Sequence, residues 1–539
     1  MCWGRLLAIA DEMAVGLTRT AFSPIVRDAH DYGCAVFDAD GNMLAMASDA
    51  TPGLSVSTMV SVVNMLEVYP PDALHPGDVL ITNDPWLATG HLPDLTIVTP
   101  VFYRDRLVGF TAAVAHHMDI GGRKTTPAST EIFEEGLYLP VCKLYQEAEA
   151  DETVLRVLER NVRVPEMVLG DVHAQVTANA VGAQRICELL LDYGWENLDR
   201  IGREVLAKAD RAMRAAIAAI PDGSYRAEMT FDGFDRDLCV AVSVNVSSDA
   251  LTVDYTGTSG QVDRGINCVL NYTESMTLMS LKMLFDPHTP INGGCMRPLK
   301  ITAPPGTILS ARYPAPVVGR SLTGHQIQPV LFQAMAAALP ERVCAVSGGP
   351  IWSGRFYGHR TDGSSFLALS QLNGGMGARP GQDGISALSF PGNVATIPTE
   401  AFEVRVPLLV ERKGLICDSG GTGQFRGGLG QEFRVRVLDG LDGDPTLAIR
   451  ADRTRNPALG LLGGAPGRRG RVLRNGSESL HPKRPVAVRA GEVISWQLAG
   501  GGGYGDPRAR ARERVLADVQ DGFISAEAAE REYGVVVRD

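Results

Sequence analysis

None of the nine cysteines stands in a C-x-x-C pair, and their number is odd. That pattern excludes a zinc ribbon and suits structural thiols in a reducing compartment, so the expected location is cytoplasmic. Any metal must then be held by histidine and carboxylate. No apolar run approaches the roughly 18 residues that a membrane span needs. Basic residues are outnumbered, 51 Lys and Arg against 62 Asp and Glu, for a formal net charge of −11. The one basic run, "GRRGR" at 467–471, is short, so neither nucleic acid nor an anionic membrane is an expected partner. There is no G-x-S-x-G elbow, which argues against a serine nucleophile. The Gly-rich stretches "GGTGQFRGGLG" (420–430) and "GGGGYGDP" (500–507) lack the G-K-[ST] ending of a phosphate loop. They read as tight turns where backbones approach closely.

What the chain does contain is 59 Gly and 32 Pro in 539 residues, hence many turns and much β-structure. The opening "MCWGRLLAIADEMAVGL" is amphipathic, carries Asp11 and Glu12, and reads as a helix rather than a signal peptide. Asp40-Gly41 between two apolar runs signals a hairpin. "LVGFTAAVA" (107–115) is almost continuously apolar, as for a strand covered on both faces. Residues 151–220 have helical periodicity, broken by Gly194 and ended at Pro221-Asp222-Gly223. A β-meander follows, then helices near 271–285 and 322–339, a Gly-rich β-like stretch and a short helical cap. The expected class is α+β, with mixed or antiparallel sheets, the helical segment around 151–220 and a β-rich C-terminal half. Three domains are expected: 1–220 with the candidate metal site, 221–400, and 401–539.

The chemistry concentrates in "NDPWLATGHLPDLTIVTP" (83–100), where Asp84, His91 and Asp94 are good donors. Pro93 disfavours a helix, so "HLPD" is a turn entering a strand. The next strand ends in His116 and His117, followed by Asp119. Asp31 stands at the start of the "YGCAVF" strand. Four strand ends converging would place two imidazoles and two carboxylates together, a set suited to Zn, Mn or Fe. The alternative is loop-capping aspartates with hydrogen-bonded core histidines.

At this point the chain resembles the hydantoinase B / oxoprolinase family, which also includes subunits of acetone and acetophenone carboxylases and a caprolactamase. The likeness runs through "RTAFSPIVRDAHDYGCAVFDADG", "NDPWLATGHLPD", "AHHMDIGG", "EIFEEGLYLP", "VDYTGTSGQVDRGIN", "GGCMRPLKITAPPGTILSARYPAPVVGR", "DSGGTGQFRGGLG" and "GGGGYGDP". The resemblance implies a metal on Asp31, His91, Asp94 and His116, with His117 and Asp119 as candidates to support the ligands. Many members read "GGTHLPD" where this chain has Ala88-Thr89-Gly90, which affects the pocket and not the ligands. Members usually carry more residues ahead of the first helix, so this chain is expected to begin late.

The implied activity is that of the metal-bearing subunit of a two-component, ATP-dependent amidohydrolase. The ATP-binding, A-type partner phosphorylates the oxygen of a cyclic amide of hydantoin, 5-oxoproline or lactam type. This chain, in a hetero-oligomer, then opens the activated ring. Phosphorylation removes amide resonance and makes the oxygen a leaving group. Of the "EIFEEG" glutamates, Glu131 and Glu134 are the candidate general bases, with Glu135 a further option; the alternative is a salt bridge, and at least two of the three are expected to be structural. The alternatives are a subunit of an acetone-type ketone carboxylase and a non-catalytic scaffold for the A-type partner. The compact chain favours hydrolysis.

Overall fold

Apolar residues three and four apart make the first helix, α1 (Cys2–Thr20), amphipathic: Leu6, Ile9, Ala10, Met13, Ala14 and Leu17 are all buried. In this computed structural model, which describes residues 2–123, 126–404 and 406–537, that face lies on an antiparallel sheet. The short α2 (Pro24–Arg27) starts where Ser23 caps the Val26 N–H. It leads into β1 (Tyr32–Asp38), which turns through Gly41 at φ +79° into β2 (Met43–Met46). Helix α3 (Pro52–Val68) follows, then β3 (Val79–Thr82), β4 (Asp94–Tyr103) and β5 (Arg106–His116). Arg104 and Asp105 both take positive φ and close the β4–β5 hairpin. The short β6 (Cys142–Gln146) and β7 (Glu149–Ala150) complete the sheet, in the order β2-β1-β5-β4-β3-β6-β7.

Helices α4 (Glu152–Asn161), α5 (Pro165–Tyr193) and α6 (Asp199–Ala218) form the helical segment, and α5 stops at Gly194 in the left-handed conformation. One face of the sheet (Cys34, Val36, Ala113, Ala115) meets α1 and the Ala174–Ala178 side of α5. The other (Ala35, Phe37, Phe110, Ala112) meets Val56, Met59 and Val62 of α3. Burial on both faces explains why β5 lacks the alternation of a half-exposed strand: it is buried from Val108 to His116.

Strands β8 (Gly223–Asp232), β9 (Asp237–Ser247) and β10 (Ala250–Asp254) make the expected meander, with the period-2 burial of a half-exposed sheet. After α7 (Leu270–Phe285), β11 (Leu299–Thr302) joins it parallel to β10. The helix expected over 322–339 is two, α8 (Arg320–Gly324) and α9 (Ile327–Met335).

The remaining chain builds two sheets from β12 (Trp352–Arg360), β13 (Ser365–Leu372), β14 (Leu408–Leu415), β15 (Gln431–Val437), β16 (Leu441–Arg450), β17 (Arg471–Arg474), β18 (Glu478–Ser479), β19 (Val486–Ala487) and β20 (Val493–Gln497). Their orders are β13-β12-β16-β19 and β14-β15-β20-β17-β18. Trp496 packs against Phe356 and Phe433, with ring centroids 6.0 Å apart in both pairs. The Gly-rich stretches lie backbone against backbone: the Gly421 N–H donates to Gly501 O and the Gly501 N–H to Gly428 O. A Cβ on Gly501 would come 2.1 Å from the Met376 carbonyl oxygen, so no larger residue fits.

The architecture is α+β. Its contacts define two compact units: Met1–Thr125, Ser129–Tyr225 and Ser243–Gly324 in the first, Thr126–Ala128, Arg226–Val242 and His325–Asp539 in the second. This partition differs from a division at 220 and 400. Among the described residues no helix is long and apolar enough to cross a membrane.

Candidate metal centre

Asp94 is the first residue of β4 and His116 the last of β5, and the antiparallel ladder sets them directly opposite one another. Directly paired residues project to the same face. His91 reaches the same point through the "HLPD" turn, which Gly90 opens at φ +99°. His91, Asp94 and His116 are 3%, 0% and 6% exposed. One donor atom from each lies within 4.8 Å of the others.

Asp31 stands alongside this set and is not one of the three. Its backbone carbonyl accepts the His116 N–H at 3.0 Å, and its side chain accepts the Thr51 hydroxyl at 3.2 Å. Burial raises the Asp31 carboxyl, and the field of His116 opposes that rise.

Strand alternation sends the adjacent His117 to the opposite face, where its Nε2 meets Gln175 Oε1 of α5 at 3.0 Å. Asp119 latches the following loop. It accepts the Gly121 N–H and the Arg163 guanidinium, the latter at 2.7 Å. Asp84 caps its own turn by accepting the Trp86 N–H at 2.9 Å. The opening stretch therefore mixes both readings: Asp84 is a loop cap, while His91 and Asp94 converge with His116.

The three "EIFEEG" glutamates diverge. Glu131 is exposed. Glu134 is engaged by Thr130 and Arg123, which hold its carboxyl below the ordinary value. Glu135 is buried, accepts the Ser129 hydroxyl at 2.5 Å and the Val317 N–H at 2.9 Å, and is pushed up to about 7 by burial.

Sequence reasoning missed the residues that complete Asp94. Arg320 Nη2 donates to Asp94 Oδ2 at 2.6 Å, and the Thr89 hydroxyl donates to the same oxygen at 3.0 Å. Arg320 Nε also donates to Thr89 O at 2.7 Å, and its guanidinium lies 4.1 Å from the centre of the Tyr272 ring. Arg320 closes the family-like stretch "PAPVVGR", and 226 positions separate it from Asp94. The available signal was an arginine in an apolar stretch, which needs an acid when buried.

Burial alone would raise Asp94. Positive charge around it, the Arg320 guanidinium included, holds it well below the usual carboxylate range. Burial, reinforced at His91 by the Arg320 charge, lowers both His91 and His116 to about 4, so both rings are neutral at pH 7.

That neutrality exposes a mismatch. His91 Nδ1 lies 2.9 Å from Val318 O, which can only accept, so Nδ1 carries the hydrogen. Nε2 then presents a lone pair, 2.7 Å from Asp94 Oδ1. His116 Nδ1 faces that same oxygen at 2.9 Å. An acceptor held against a carboxylate oxygen in a buried site is repulsive unless a proton or a cation lies between them. The donors, one carboxylate and two imidazoles, are those a divalent transition metal or zinc takes. Residue types and geometry fit the ion.

The family model described as hydantoinase B/oxoprolinase matches residues 1–507. The B subunit of a putative D-/L-hydantoinase from Pseudomonas sp. (strain NS671) is 34% identical over 567 residues, covering 99% of this chain and 94% of the relative. The crystal structure of the ATP-dependent caprolactamase from Pseudomonas jessenii superimposes with a TM-score of 0.91 at 29% identity, over 99% of this chain and 95% of that one. Nucleotide-free acetone carboxylase shares the fold, with a TM-score of 0.89 at 19% identity, over 100% of this chain and 79% of its own. The chain belongs to the hydantoinase B/oxoprolinase family.

Proposed function

We propose that this chain is the metal-bearing subunit of an ATP-dependent cyclic-amide hydrolase, active with an A-type partner that phosphorylates the substrate oxygen. The observation that carries the reading is geometric: His91 Nε2 and His116 Nδ1 both face Asp94 Oδ1, at 2.7 and 2.9 Å, so three buried metal-ligating groups converge on one point. His91, Asp94 and His116 hold the ion, and Asp31 is the proposed fourth ligand. A divalent ion bound there lowers the pKa of water and polarises an oxygen of the substrate. The chain's own groups keep the site ready: the Val318 carbonyl sets the His91 tautomer, and burial keeps both imidazoles unprotonated. Of the "EIFEEG" acids, Glu135 suits proton exchange better than Glu131 or Glu134, because burial brings it to about 7 while Arg123 and Thr130 occupy Glu134. The names of the hydantoinase and caprolactamase relatives point to a ring amide as substrate. The cysteines, none in a C-x-x-C pair, suit a cytoplasmic complex.

The test is to purify the chain with and without a co-expressed A-type partner. Metal content is measured first, then ATP-dependent turnover of hydantoin, 5-oxoproline, caprolactam, and acetone with bicarbonate. The expected result is a bound divalent ion on the chain alone, and ring opening only with partner and ATP. A wild-type chain that retains no divalent ion overturns the metal reading. Turnover of acetone with bicarbonate and none of the ring amides replaces hydrolysis with carboxylation.

A further inference from the structure

The segment from Val317 to Arg320 touches both residues that the "HLPD" turn contributes to the candidate metal centre. Val318 O accepts from His91 Nδ1, and Arg320 donates to Asp94 Oδ2. The segment is itself fastened on several sides. Glu135 accepts the Val317 N–H, and Asn267 Nδ2 donates to Pro316 O at 2.9 Å. The Gly319 N–H donates to Gly265 O at 2.7 Å, and a Cβ on Gly319 would come 2.5 Å from that oxygen. The Arg320 N–H folds back to Val317 O at 2.9 Å. Tyr272 lies under the guanidinium, 4.1 Å away.

A segment serving only as packing would not need two polar groups aimed at two neighbouring donors. Val318 decides which nitrogen of His91 faces the centre. Arg320 and Thr89 together occupy Asp94 Oδ2, leaving Oδ1 as the oxygen shared with His91 and His116. A planar guanidinium suits this task, because its fork spans Asp94 Oδ2 and Thr89 O at once. An ammonium could serve one of them as a point charge.

We propose that Val317–Arg320 is a positioning clamp for the metal ligands, in which Arg320, with Thr89, restricts Asp94 to one coordinating oxygen while the Val318 carbonyl fixes the His91 tautomer. This rests on the metal reading above. Arg320 acts through Asp94 and is a positioning residue. Groups that orient metal ligands typically change affinity by about 10- to 100-fold when removed.

The test uses the full-length chain, stripped of metal and titrated with cobalt(II), whose visible spectrum reports coordination number. Near-ultraviolet circular dichroism checks the fold. Arg320→Lys keeps the charge and loses the fork. Thr89→Val keeps the shape and loses one donor to Oδ2, and it provides the readout should Arg320→Lys fail to fold. The expected result is cobalt(II) binding weakened by about 30-fold in Arg320→Lys and about 10-fold in Thr89→Val. Each should also show lower absorptivity in the visible bands, as the second oxygen of Asp94 swings onto the ion. Folded variants that bind cobalt(II) within about twofold of wild type, with unchanged spectra, overturn the clamp and leave the metal site standing. Failure of the wild-type chain to bind cobalt(II) at all overturns both.

Discussion

Two aspartates, one in each unit, are almost completely buried and end up in opposite situations. Asp232 is 1% exposed and accepts five hydrogen bonds: from Thr454 N–H and hydroxyl, the Arg455 N–H, and the Asn456 N–H and side-chain amide. Every contact is a donor facing an acceptor. Asp94 is 0% exposed; its Oδ2 is served by Arg320 and Thr89, while its Oδ1 is shared by ring nitrogens of both His91 and His116, at 2.7 and 2.9 Å. Burial is equally severe at both, so burial does not mark a functional site. What separates them is satisfaction. A buried acid whose partners all donate is a finished structural joint. One that faces a further acceptor calls for a proton or a cation between them.

The largest expected effect breaks the comparison on the Asp94 side. His91→Ala removes one donor of the three, and metal content should fall from stoichiometric to near zero while circular dichroism stays native. Elemental analysis of the purified variant decides it; a fully loaded His91→Ala chain would show the site to be elsewhere.

Next comes the structural joint. Burial pushes the Asp232 carboxyl up, but the Lys483 charge and the N–H groups of Asn456 and Arg455 outweigh it and bring it down to about 2. A carboxyl whose folded pKa lies below its ordinary 3.8 stabilises the fold above about pH 4. That contribution disappears as the pH falls from about 4 to about 2. Asp232→Asn should therefore cost about 2 kcal/mol at pH 7 with metal content unchanged. Denaturant titrations of both proteins across pH 2 to 7 test this, and the gap between them should close at the acid end. A gap independent of pH would mean that the lost shape, not the charge, is responsible.

The smallest effect concerns Asp119, which residue order offered as a support for the metal ligands and which contacts Gly121 and Arg163. Asp119→Asn loosens the latch onto Gly121 and Arg163, so it should lower stability by about 1 kcal/mol. Metal affinity should stay within twofold of wild type. A loss of affinity on the scale of His91→Ala would place Asp119 functionally with Asp94.

Much of the first unit was legible from residue order. The continuous apolar run at 107–115 announced a strand covered on both faces, and α1, α3 and α5 cover it. The 3.6-residue periodicity over 151–220 became α4, α5 and α6. The convergence of His91, Asp94 and His116 followed from reading "HLPD" as a strand entrance and "AHH" as a strand exit. Strand alternation could also have separated His116 from His117, since neighbours on a strand point to opposite faces. The glutamates were not legible. Glu131, Glu134 and Glu135 sit around a single 3₁₀ turn, too short for a periodic pattern to show which one is buried. The expected helix over 322–339 became α8 and α9, with the break at His325 and Gln326.

Residue order by itself determined the family and the α+β class, and it pointed to His91, Asp94 and His116, which the structure brings together, because those depend on side-chain chemistry and local periodicity that neighbours in the chain carry. Only the tertiary structure decided that His117 meets Gln175, which nitrogen of His91 faces Val318, and that Arg320 occupies one oxygen of Asp94. Each of these is set by a contact between segments far apart in the chain, and directional partners at such range leave no periodic trace in the sequence.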